Sequence, residues 1–255
     1  MPESSKALVW DKAGQRCYEN GVDHCVLYLQ NSNGSYGKGV AWNGIIGITE
    51  SPDGAEANDL YADNMKYASM RSAETFGGTI EAYMYPEEFG QCDGTVTPNG
   101  TKGLYLGQQT RTAFGLAYRT NIGNDTISNA DDGYKLHLVY GCTASPSEKA
   151  YETINDSPDA ITFSWEFDTT PVAVDGYKSL STITIDSLKA PKNALKVLEK
   201  KLFGDDTTDT TDTTDTTDTT DTTDTTGPTL PLPGEVIDIF KNNPDDQHAM
   251  SKSNI

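Results

Sequence analysis

Three groupings of side chains carry the residue types that chemistry needs. Cys17, His24 and Cys25 come nearest to a metal cluster, since thiolate and imidazole are zinc ligands. A closed site takes four donors, however, and neither a C-x2-C pair nor a second close histidine completes this set. Glu87 and Glu88 offer two carboxylates for acid and base roles in hydrolysis. Neighbouring positions on a helix do not face one substrate, and behind Pro86 the two read as acids placed at a helix start. Gly37-Lys38-Gly39 lacks the further glycine and the Lys-Ser/Thr of a phosphate-cradling loop and reads as a turn between strands. Of the other histidines, His248 falls in a polar terminus. His137 is a single position on an alternating strand, where a solvated or partner-facing ring is expected. No G-x-S-x-G turn occurs. The expectation is a protein that is not an enzyme, with no catalytic residue, metal or cofactor.

Composition narrows the classes further. The chain has 255 residues, with 19 Lys and Arg against 38 Asp and Glu and a net charge of -19. So acidic a surface disfavours a duplex-binding role, which needs clustered cations. The first residues show no basic stretch followed by an apolar one, and no run approaches the ~18 apolar residues of a membrane span. Neither an export signal nor a membrane anchor is therefore expected, and Cys17, Cys25, Cys92 and Cys142 are expected as free thiols.

The elements around these residues read mainly as strands. Between Ala160 and Thr170, Ile161, Phe163, Trp165 and Phe167 alternate with Thr162, Ser164, Glu166 and Asp168, which gives one apolar and one wet face. Tyr134 to Cys142 alternates likewise, and Thr79 to Tyr85, Tyr105 to Thr120 and Ser181 to Asp186 are weaker strands. Helices are expected at Pro86 and over KNALKVLEKKLFG, whose leucines are spaced for one apolar stripe and whose last turn holds Lys200 and Lys201 before Gly204. Glu50 to Thr75 is long for a connection. Its Leu60, Tyr61, Met65, Tyr67 and Met70 mark an interaction loop or hairpin, because clustered exposed apolar groups mark contact surfaces.

Seven Asp-Thr-Thr triplets run from Asp206 to Thr226. They hold no apolar residue to offset the entropy of ordering, and they lack the glycines of calcium-binding repeats. The expected organisation is a β domain over residues 1–204, a linker over 205–228 and a tethered C-terminal peptide over 229–255. The apolar run of that peptide, Val236, Ile237, Ile239 and Phe240, suits docking on another surface and not folding alone.

Several stretches in order carry a resemblance: YGKGVAWNGIIGITESPDG, LYADN, GTIEAYMYPEEF, TAFGLAYRTNIGND, GYKLHLVYGC, SPDAITFSWEFDTTPVAV and STITIDS. Together they cover roughly residues 20 to 190 and resemble the major tail proteins, or tail tube proteins, of long-tailed, non-contractile bacteriophages. The resemblance implies a mainly β protomer, a β-sandwich or half-barrel with one or two short helices and a long contact loop. Six such protomers usually close a ring, and stacked rings form a tube through which DNA passes without specific binding. Implied partners are the chain itself and the tape-measure, tail-tip initiator and terminator proteins. The implied location is the virion tail, after assembly in the bacterial host's cytoplasm. On this reading Thr162, Ser164, Glu166 and Asp168 form a candidate row facing the lumen, where negative charge lets a polyanion slide. Tyr61, Asp63, Asn64 and Met65 become candidate contacts to an adjacent protomer or ring. The alternative is an acidic β-sandwich binding or adhesion module on a Thr-rich linker, for which an export signal and an anchor would be the discriminators.

Overall fold

A computed structural model describes residues 8, 10–14, 16–54, 56–99, 101–125, 133–151, 153, 160–205 and 227–244. The expectations for the Asp-Thr-Thr tract and for His248 lie outside them. In chain order the strands are β1 (Cys17–Leu29), β2 (Val40–Ala41), β3 (Ile45–Glu50), β4 (Asp53–Gly54), β5 (Ala57–Ala62) and β6 (Met65–Arg71). There follow β7 (Glu74–Thr75), β8 (Gly77–Ala82), β9 (Phe114–Asn124), β10 (Tyr134–Ala144), β11 (Phe163–Thr169) and β12 (Thr182–Asp186). Helices α1 (Lys192–Phe203) and α2 (Pro233–Asn242) close the order. The protein is mainly β, as its alternating segments imply.

One antiparallel sheet runs β2-β1-β9-β10-β11-β8-β3, with β12 also on β10. Strand β10 serves both halves of it. Lys135–Val139 pair with β9 and β12, whereas Cys142–Ala144 pair with β11. Between them the register slips and Gly141 takes φ +63, the left-handed region that glycine enters without steric cost. A Cβ there would stand 2.3 Å from the Thr170 carbonyl oxygen, so the bend needs glycine twice over.

The bend gives the sheet two cores. On one side the halves face each other over Leu27, Trp42, Phe89, Phe114, Leu116, Trp165 and Phe167. Phe89 is the hub, with ring centroids 4.5 Å from Trp42 and 5.1 Å from Trp165. It is delivered by a 3-10 turn over Glu87–Gln91, where a helix start was expected. On the other side α1 lays Leu195, Leu198 and Leu202 over Leu136, Leu138 and Tyr140, as its leucine spacing requires.

Three expectations need correction. The face of β10 that holds Val139 was read as wet, yet Val139 is buried, because the curled half of the sheet covers it while α1 covers the other face. The strand expected over Tyr105 to Thr120 begins only at Phe114. Finally, the C-terminal peptide sits on its own domain rather than on another surface. Leu230 and Val236 are buried beside α1, the Thr229 N–H donates to Lys201 O at 2.8 Å, and the Tyr140 hydroxyl donates to Pro231 O at 3.1 Å. The site left open between α1 and the tyrosines of β1 and β10 is filled by this chain's own leucine and valine.

Candidate assembly surfaces

Cys25 is buried, and burial pushes its thiol up to about 12. His24 sits at φ +50 in an irregular part of β1, with Nδ1 2.9 Å from Asp23 Oδ1. Among the described residues no three potential metal ligands cluster. Glu87 and Glu88 lie exposed on the 3-10 turn.

His137 differs from the expected solvated or partner-facing ring. It stacks on Tyr118 at 4.8 Å with the planes 5° apart, and its Nε2 lies 3.0 Å from Thr120 Oγ1. Its Nδ1 stands 3.5 Å from Glu50 Oε1 outside hydrogen-bond geometry, and that same oxygen accepts the Tyr118 hydroxyl. Proximity to His137, and after it the Tyr118 hydrogen bond, holds the Glu50 carboxyl below its ordinary range against the opposing effect of burial. Tyr118 is pushed far up, first by burial and then by Glu50. This cluster has a mechanical consequence. Glu50 is the last residue of β3, and the chain leaves the sheet immediately after it.

What leaves is a β arm. Strands β4 and β7 form its base, and β5 pairs with β6 above them. Asp63 and Asn64 join the two strands with φ +51 and +59, the paired left-handed conformations of a two-residue hairpin turn for which Asn and Asp are suited. Of the four residues expected as contacts, two therefore owe their types to the turn itself. The other two, Tyr61 and Met65, are 71% and 64% exposed, and Tyr67 and Met70 beside them are 74% and 61% exposed. By register Leu60, Met65 and Met70 share one face. Lys66 pairs with Asp59 at 2.7 Å, which lowers the Asp59 carboxyl's pKa and ties the two strands together.

The second surface is the outer face of β3, β8 and β11. Glu166 lies opposite Thr79, which lies opposite Thr49, and Ser164 lies opposite Glu81. Glu166 and Asp168 are exposed and Ser164 is half-buried; Thr162 is exposed but precedes β11. Strand pairing adds Glu81, whose place the alternation of Thr79-Ile80-Glu81-Ala82 already signals. This face carries Glu81, Glu166 and Asp168, and the three strands hold no Lys, Arg or His. Behind this face stand Ile80, Trp165 and Phe167, all buried.

No protein-family model matches this chain, and no curated protein matches it either.

Proposed function

We propose that the chain is a structural protein that stacks on itself as rings to build the tail tube of a long-tailed bacteriophage. The observation that carries this is the arm: a hairpin with a specified turn presents large apolar side chains that nothing in the protomer covers. Monomeric proteins rarely leave such a surface open, and it fits a contact with another copy. An arm and the separate surface that receives it make a heterologous contact, which repeats into rings or filaments. The face bearing Glu81, Glu166 and Asp168 supports the second half of the reading, since a wall free of cations gives phosphates nothing to hold.

The test is electron microscopy of the purified chain over a concentration series, with light scattering to follow size. Rings or hollow tubes with a central channel are the expected result. A monomer at every concentration, unchanged on adding tail-tip components, would refute the proposal.

A further inference from the structure

An open apolar groove of about 840 Å³ lies beside β12 and α2. Four consecutive residues of β12, Ile183 to Asp186, line it. Successive strand residues point to opposite faces, so a groove that touches all four runs along the strand's edge. That edge is open, because among the described residues β12 pairs with β10 alone. The far wall is α2, whose Ile237 and Phe240 are only half-buried there. Lys178, Lys189 and Lys241 also line the groove against one carboxylate, Asp186. In a chain of net charge -19 a net-positive border is a local exception, and it favours an acidic occupant.

The arm has the matching properties. Strand β5 has six residues to the five of β12, and among the described residues it pairs with β6 alone. Between residues 53 and 71 four acids stand against two bases. The acids Asp53, Glu56, Asp59 and Asp63 all lie on the β5 side of the turn or in it, and both bases lie on β6. We infer that the groove between β12 and α2 receives the arm of a second copy of this chain, with β5 added along the free edge of β12. The face of Leu60 and Met65 then covers Ile237 and Phe240, and Glu56 and Asp63, at the two ends of β5, meet the groove's lysines. Strand addition supplies backbone hydrogen bonds, and the side chains set which segment fits. This inference rests on the reading that copies of the chain assemble, and it names the surface that accepts the arm.

Site-specific cross-linking tests it on the full chain. Cys17 is exposed while the other cysteines are buried, so the background is Cys17→Ser. One population carries Ala62→Cys on β5 and the other Thr184→Cys on β12, both at exposed positions. When the two are mixed with a short thiol-to-thiol cross-linker, the joined dimer should exceed that from either population alone by about tenfold, because docking raises the local concentration of the pair. Met65→Cys in place of Ala62→Cys should behave alike. Lys178→Glu with Lys241→Glu should raise the protein concentration needed for the link by about tenfold, most clearly at low salt. Tubes that form without the link would overturn the groove assignment and leave the tube proposal standing. The link in particles that never become tubes would do the reverse. A link from Leu8→Cys to Thr184→Cys instead would give the groove to the N-terminal segment and overturn the inference. Absence of any association would overturn both.

Discussion

Glu50 joins the arm to the body. One oxygen accepts the Tyr118 hydroxyl and lies 3.5 Å from His137 Nδ1. The carboxyl's pKa is lowered on folding from an ordinary value of 4.5. A group whose pKa falls on folding adds stability that is complete above the unfolded value and is lost as pH drops through the folded one. Glu50→Gln should therefore be less stable than the parent at pH 7, by about 1 kcal/mol for a charged acceptor made neutral. The gap should narrow as pH falls below 4.5 and through the lower folded value, as the parent's carboxylate is protonated. Urea unfolding over a pH series measures it, and a gap that does not narrow toward acid would show that the ionised carboxylate is not the cause. None of this was legible at His137. An alternating strand tells which residues share a face, but the partner across that face arrives from β3 and β9, far off in sequence.

Elements with one clean period were the legible ones. The leucine spacing of α1 appears in the structure as read, and the alternation of β11 does so from Phe163 on, with Ile161 exposed ahead of the strand, because each packs a single face onto a single core. Strand β1 gave no such signal. It is the longest strand, yet Gly21 and His24 take φ +67 and +50, and its register against β9 slips between Asn20 and Val26, so no period of two survives there. The same logic lends weight to the acidic face. Glu166 and Asp168 point away from a buried Trp165 and Phe167, so changing them should alter the surface and not the fold. Glu166→Lys with Asp168→Lys should unfold within about 0.5 kcal/mol of the parent, as exposed substitutions do. If this face lines the channel, tubes of the variant should retain duplex DNA that parent tubes release. The retention should weaken steeply with salt, because phosphate contacts displace counterions. Variant tubes that release DNA like the parent would place this face away from the lumen.

At the scale of the molecule, the C-terminal peptide was the least legible part, since apolar residues beyond a linker do not say whose surface they cover. The structure makes them part of this domain, and it brings the two ends of the intervening tract together. A Cβ on Gly204 would lie 3.5 Å from Pro228 Cγ, and the Thr229 N–H already bonds the carbonyl of Lys201 on the last turn of α1. Between those ends run 21 residues of Asp-Thr-Thr repeat, Asp206 to Thr226, where a turn of four residues closes the same gap. Closing a loop costs entropy that grows slowly with length, about 0.6 kcal/mol per doubling. Joining Asp205 directly to Gly227 shortens it by about three doublings and so favours the folded state by at most about 2 kcal/mol. The seven carboxylates of the repeats also leave with it, which removes self-repulsion close to the end of α1. The shortened chain should keep its fold and melt a few degrees higher, at roughly 2–4 °C per kcal/mol for a chain of this size. A fall in melting temperature would mean that Leu230 and Val236 cover a neighbouring copy and need the full tract to reach it.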